Sequence, residues 1–278
     1  MSTAKTIGAP ITLSRRVDPS AVAALFRMTV ARLIRGRRLV VLSLLFSLPV
    51  VFALLAQHYE PRYDAAEAAL ILVLGLIPQT LMPLTALVYG SGMIQDEIEE
   101  QTLTYLLIRS LPRPVIYVVK LAATLFVTAA ITAVFTLIAY AVVYRSAPSD
   151  VWNRLPDEAL KTIVAMCLSL AAYGSLFGLI SLFVKRTLVL GVAYIILFEA
   201  VLANVDFTIR KVTVMYQFRV LTVRWLALDA KDWNIVLADA PTATWAALNL
   251  TIAAVVLTVL GALLFAGKEF RVKTPEGA

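Results

Sequence analysis

The sequence predicts an all-α membrane protein with six transmembrane helices, and three observations carry that expectation. Of its 278 residues 60% are hydrophobic and 15% charged, whereas a soluble domain holds roughly 45–50% apolar residues. The apolar residues gather in long uninterrupted stretches, at about 39–56, 68–94, 115–144, 162–184, 187–205 and 242–266. Each is near or above the ~17 residues a helix needs to cross a bilayer. The basic residues then fall on one side of those six segments. They crowd residues 1–38 and recur at Arg109, Arg113, Lys120, Lys185, Arg186, Lys268, Arg271 and Lys273. By the positive-inside rule both termini are cytoplasmic, in a multi-pass protein of the cytoplasmic (inner) cell membrane. Trp152, Trp225, Trp233 and Trp245 fall on the outer side near segment ends, as an interfacial belt requires. Spanning strands would need ~10-residue segments of alternating polarity, and these stretches are too long and too uniformly apolar.

In chain order, residues 1–17 lack an apolar period and read as a mobile cytoplasmic tail. Residues 18–38 read as an amphipathic interfacial helix, with Asp18 as N-cap and Pro19 in the first turn. Val22, Phe26, Val30 and Leu33 share one face of it, with Arg27, Arg35 and Arg38 roughly opposite, which suits the headgroup layer. Residues 39–278 form the six-span domain with a short cytoplasmic C-terminal tail. The stretch 39–56 has a long basic flank and no small-residue cleavage site, so it stays as a span rather than a signal peptide. Pro49, Pro78 and Pro83 fall inside spans, where neighbouring helices satisfy the freed carbonyls, and they mark expected kinks. Residues 57–67 and 145–161 read as external loops. Lys185, Arg186 and Thr187 alone separate spans four and five, which makes those spans antiparallel neighbours. In 206–241, Val212 to Val220 alternate as in a strand, but a lone strand lacks partners; interfacial or re-entrant helices over the outer mouth are the expectation.

The most distinctive stretch is 91–120, SGMIQDEIEEQTLTYLLIRSLPRPVIYVVK. Asp96, Glu97, Glu99 and Glu100 stand where a helix would begin and suit its positive dipole end. Leu103, Leu106, Leu107 and Ile108 follow, and Arg109, Leu111, Pro112, Arg113 and Pro114 break the helix and return the chain to the membrane. The stretch resembles the loop after the second span of the type-2 ABC transporter permeases, which reads approximately E-x-E-x-G-T-L-x-x-L-L-x-R-P-x-S-R-x-x-I-x-x-G-K. Glu97, Glu99, Thr102, Leu103, Leu106, Leu107, Arg109, Arg113, Ile116 and Lys120 are in register with it, while Gln101, Ser110, Pro112 and Val119 replace its Gly, Pro, Ser and Gly. The resemblance implies a cytoplasmic coupling helix at about 96–108 that docks on a separate ATP-binding cassette subunit, with Asp96, Glu97, Glu99, Glu100, Thr102, Leu103, Leu106, Arg109 and Arg113 as ATPase-coupling residues. It also implies a second copy of this chain, or a related permease, around a shared pathway that exports substrate outward.

The chemistry agrees with a subunit that is not itself an enzyme. No phosphate-cradling G-x-x-x-x-G-K-S/T loop is present, Gly267 and Lys268 being followed by Glu269. ATP and Mg would therefore be bound by the partner subunit, and no catalytic, cofactor-binding or metal residue is expected here. His58 is the single histidine and Cys167 the single cysteine, too few for a metal cluster. The basic balance suits anionic membrane lipids rather than nucleic acid, because the Arg residues are not interleaved with stacking aromatics. Glu199 is the ionisable residue well inside a span; it either lines the substrate pathway or pairs with a loop Arg. Two other classes compete with the exporter: an ATP-independent secondary transporter or channel, which would place several ionisable groups along an ion path, and a membrane scaffold.

Overall fold

The computed structural model describes residues 18–59, 64–99, 111–145, 149–184, 186–201, 208–231, 233, 235–236 and 239–268. All regular structure among the described residues is helical. Five helices are long and apolar enough to cross a membrane: Arg37–Tyr59, Ala65–Glu97, Arg113–Val143, Val151–Phe183 and Ala243–Gly267. This is the architecture of a multi-pass all-α membrane protein.

Helix α1, Pro19–Arg35, starts where Asp18 accepts the Ser20 amide at 2.9 Å, with Pro19 in its first turn. Leu25 is its one buried residue, and Val22, Phe26, Val30 and Leu33 are half-buried against the bundle. The expected apolar face is therefore the packed one. Gly36, in extended conformation, is the sole residue between α1 and α2, Arg37–Tyr59. In α2 the buried residues are Leu42, Phe46, Pro49 and Ala53, a single stripe at helical spacing. Its other large apolar side chains, such as Val40 and Leu44, are exposed, as lipid-facing positions are.

The next span is built in pieces: α3, Ala65–Ala68; a π-helical stretch, Ala69–Leu81; and α4, Met82–Glu99. Pro78 lies inside the widened stretch and Pro83 just beyond it. A proline has no N–H to give and crowds the carbonyl four residues back, so a local departure from α-geometry is expected where two prolines fall close together.

Helix α5, Arg113–Val143, begins at Pro112 and Pro114 as the sequence predicts. One face is a buried polar stripe of Lys120, Thr124, Thr128, Thr132 and Thr136, ending at Tyr140, whose hydroxyl meets Thr162 Oγ1 at 2.9 Å. Small hydroxyl-bearing residues let membrane helices approach closely, and α6 packs along this seam. Helix α6, Ser149–Phe183, corrects one expectation: the segment read as an external loop, 145–161, is helical from Ser149, with Pro156 inside the helix. Pro156, the eighth residue of the helix, has no N–H for the carbonyl four residues back and so removes one bond of the ladder. α6 is the centre of the bundle, packed on α4, α5 and the last two helices.

After Arg186 come α7, Thr187–Tyr194, and a π-helical stretch, Ile195–Val201. This apolar helix is shorter than the five spans; the remainder of the predicted span at 187–205 lies outside the described residues. Residues Thr208–Val212 form a 3-10 turn, and α8, Val214–Leu226, follows from the N-cap Thr213. The apparent strand alternation at 212–220 is thus helical. Every residue from Val214 to Val223 is buried, polar Gln217, Arg219 and Thr222 among them, so α8 is enclosed by the bundle on all sides. Ala227, at φ 52°, ends it in the left-handed region. Helix α9, Ala243–Gly267, closes the chain's described part.

Candidate functional site

The expected coupling segment is anchored at one end of the bundle, the end that carries α1. Here the structure corrects the sequence reading: α4 continues to Glu99, so Asp96, Glu97 and Glu99 occupy the last turn of a helix rather than the start of one. Carboxylates at a helix C-terminus face the negative end of the dipole, which disfavours them. Cations from three other helices offset this.

Arg38, in the first turns of α2, donates to both carboxylate oxygens of Asp96, at 2.6 and 2.9 Å. Gly92, one turn before Asp96, is what leaves room for the guanidinium: a Cβ there would stand 2.0 Å from Arg38 Nη1. Glu97 points inward and is 9% exposed. Its Oε1 pairs with Lys120 Nζ and lies 3.8 Å from Arg32 Nη1. Lys120, itself 3% exposed, also donates to the Met93 carbonyl at 2.9 Å. One ammonium therefore neutralises a carboxylate and occupies a carbonyl in the last turns of α4, where a cation is favoured. Gln95 Nε2 donates to the Val184 carbonyl, tying the same turn to the end of α6.

The far side of the segment is tied as well. Arg113 reaches the carbonyls of Ala266 and Lys268 at 3.5 and 3.4 Å, both at the end of α9, and Lys268 Nζ donates to the Leu182 carbonyl. Among the predicted coupling residues, then, Asp96, Glu97 and Arg113 meet partners from four helices, α1, α2, α5 and α9, at the base of the segment. Glu99 is the last residue of α4. Glu100, Thr102, Leu103, Leu106 and Arg109, and with them most of the predicted helix at 96–108, lie outside the described residues. Arg32 and Arg38 were not singled out from the sequence as partners. Two signals point to the network: Lys120, a lone cation in a long apolar stretch, and Gly92, one turn before a carboxylate.

Glu199 sits elsewhere, 5% exposed. Its Oε2 accepts the Met215 amide at 3.1 Å and its Oε1 the Tyr194 hydroxyl at 3.3 Å. Met215 is in the first turn of α8, beside the N-cap Thr213, which accepts the Tyr216 amide at 3.2 Å. An anion at a helix N-terminus is favoured by the free amides and by the dipole. Buried Arg219 of α8 adds a further attraction to the same carboxylate. Both oxygens of Glu199 are thus in use within the fold.

A family described as proteins of unknown function, DUF2705, matches residues 28–270, and the chain belongs to that family. No curated protein matches the sequence.

Proposed function

We propose that this chain is the membrane-spanning subunit of an ATP-driven exporter of the type-2 ABC transporter permease kind, acting as a dimer with separate ATP-binding subunits. The observation that carries the reading is the mounting of the 100–110 segment. On one side Asp96 and Glu97 join α4 to Arg38 of α2, Lys120 of α5 and Arg32 of α1. On the other, Arg113 joins α5 to the end of α9. A partner that pushes on the segment would thereby move several helices together, as a rigid-body transmission requires. The resemblance in 91–120 supplies the partner class.

In this reading the α1 end faces the cytoplasm, α7 with its continuation is the fifth of six spans, and α8 is a re-entrant helix. The thirteen helical residues from Thr187 to Glu199 rise at most about 20 Å, so the start of α8 would lie part-way through an apolar layer of about 30 Å. The internal use of Glu199 favours this reading over ATP-independent transport, which would draw on such a group for an ion path.

Co-purification tests it. The chain is co-expressed with candidate ATP-binding cassette subunits from the same cell and the ATPase rate of any complex is compared with that of the chain alone. Turnover in the complex, absent from the chain and lost on charge reversal at Glu100 and Arg109, is the expected result. A chain that hydrolyses ATP by itself, or captures no ATP-binding subunit, overturns it.

A further inference from the structure

The face of α1 that meets α5 leaves a groove of about 590 Å³ between the two helices, within the range of roughly 300–1,000 Å³ typical of small-molecule sites. Val22, Ala23 and Phe26 line it from α1, and Val118 and Ala122 from α5; the walls are almost wholly apolar. Phe26 and Phe126 meet below, ring centroids 5.9 Å apart. One charge stands at the rim, Arg27. It is exposed, and none of the described residues pairs with it. Helix α1 holds no acidic residue, and Arg32 and Arg35 follow on the same helix.

From this we infer a binding site for one anionic phospholipid, with an acyl chain in the groove and its phosphate on Arg27. The level of the groove fits. Val118 and Ala122 flank Lys120, whose ion pair with Glu97 and Arg32 stands where apolar span gives way to charged residues. The outer wall runs on into exposed apolar side chains of α5, Val118, Phe126, Val134 and Leu137. Such a belt faces acyl chains in a bilayer, so a lipid can enter from the side without displacing protein. With Arg27 the one charged residue lining the groove, an anionic headgroup is favoured over a zwitterionic one. The site depends on the protein lying in a membrane and not on the exporter reading, because lipid retention is measured without ATP or an ATP-binding subunit.

The test is native mass spectrometry of the full chain, released from detergent with added phosphatidylglycerol or phosphatidylcholine of identical acyl chains. One phosphatidylglycerol is expected to be retained about fivefold more tightly than phosphatidylcholine, the increment one surface Arg supplies to an anionic lipid. Arg27→Glu should remove that preference and Arg27→Lys keep it. Ala23→Trp, at an exposed position, should lower retention of both lipids by filling the groove. Equal retention of the two lipids by the wild type, or an unchanged preference in Arg27→Glu, overturns the site. Two further outcomes would reassign it: displacement of lipid by an equal concentration of inorganic phosphate makes it a free-anion site, and an Ala23→Cys disulfide between copies in a Cys167→Ala background makes it a contact between chains.

Discussion

Glu199 caps a helix to which it does not belong: its Oε2 accepts the amide of Met215, in the first turn of α8, at 3.1 Å. Removing the carboxylate while keeping Arg219 should therefore be costly. Glu199→Leu leaves the buried Met215 amide without its acceptor and removes a carboxylate that attracts the buried Arg219 guanidinium, a loss of about 3–5 kcal/mol. The double variant Glu199→Leu/Arg219→Met should recover part of it, since removing both charges is far less harmful than removing one. Thermal unfolding of the purified protein measures this. A single variant as stable as the wild type would show that α8 holds its place without Glu199.

Gly92→Leu should displace Arg38 from Asp96 with little effect on overall stability. The pair is partly solvated, with side chains 43% and 26% exposed, and such pairs contribute roughly 0–1 kcal/mol. The effect to look for is local: faster amide hydrogen exchange in the last turn of α4 and the first of α2, with α6 unchanged. Exchange that quickens throughout the bundle would mean the glycine serves helix packing instead.

Glu97→Lys should unfold the α1 end of the bundle. It would set a third cation against buried Lys120 and nearby Arg32, and breaking a buried pair costs about 3–5 kcal/mol. Glu97→Gln should be milder, since it keeps an acceptor for Lys120. Reversal at Glu97 thus tests folding, and the docking role is tested at Glu100 and Arg109. Wild-type thermal stability for Glu97→Lys would count against the inward placement of this side chain.

At Gly261, a Cβ would stand 2.3 Å from the hydroxyl of fully buried Tyr117. Gly261→Val should therefore lower stability by about 1–3 kcal/mol through overpacking of α9 on α5. Tyr117→Phe should be close to neutral, because its hydroxyl has no hydrogen-bond partner to lose. A melting temperature unchanged in the first variant and much lower in the second would reverse this account of the contact.

The cap of α1 sets a pH dependence. Hydrogen bonds from the Ser20 hydroxyl and amide hold the Asp18 carboxyl below its ordinary value of 3.8. With the folded value under the unfolded one, the unfolded state binds more protons in the window between them, so stability rises with pH there. The cap is fully present above the ordinary value and is lost as pH falls through the lower, folded one. Asp18→Asn should keep the cap and flatten this acid limb in the helicity of α1; an acid limb that persists in Asp18→Asn would place its origin elsewhere.

Length and hydropathy made the spans legible, and the Asp18–Pro19 start and the Pro112–Pro114 re-entry were readable because capping is a local interaction. What escaped was set by contacts between distant residues. The four carboxylates at 96–100 look like a helix start by composition. Asp96 and Glu97 instead stand in the last turn of α4, where Arg38, Lys120 and Arg32 reach them from elsewhere in the chain, and no local pattern encodes that arrival. Helices were expected in 206–241, and α8 is one; what no local pattern encoded is its burial on every side, polar Gln217, Arg219 and Thr222 included. The opening residues of α6 were read as a loop from Pro148, Asp150, Trp152 and Pro156, yet the helix runs through Pro156, which interrupts its ladder at one position only.

One residue, Gly36, joins α1 to α2, and a single residue offers only two soft torsions. Such a joint has no slack. A change in lateral pressure that tips α1 must be taken up by the first span or by Gly36 itself, and the first span carries Arg38, the clasp on Asp96. Tilting of α1 would in this way load the Arg38–Asp96 pair at the end of α4, and lengthening this joint by a few flexible residues should disengage the two.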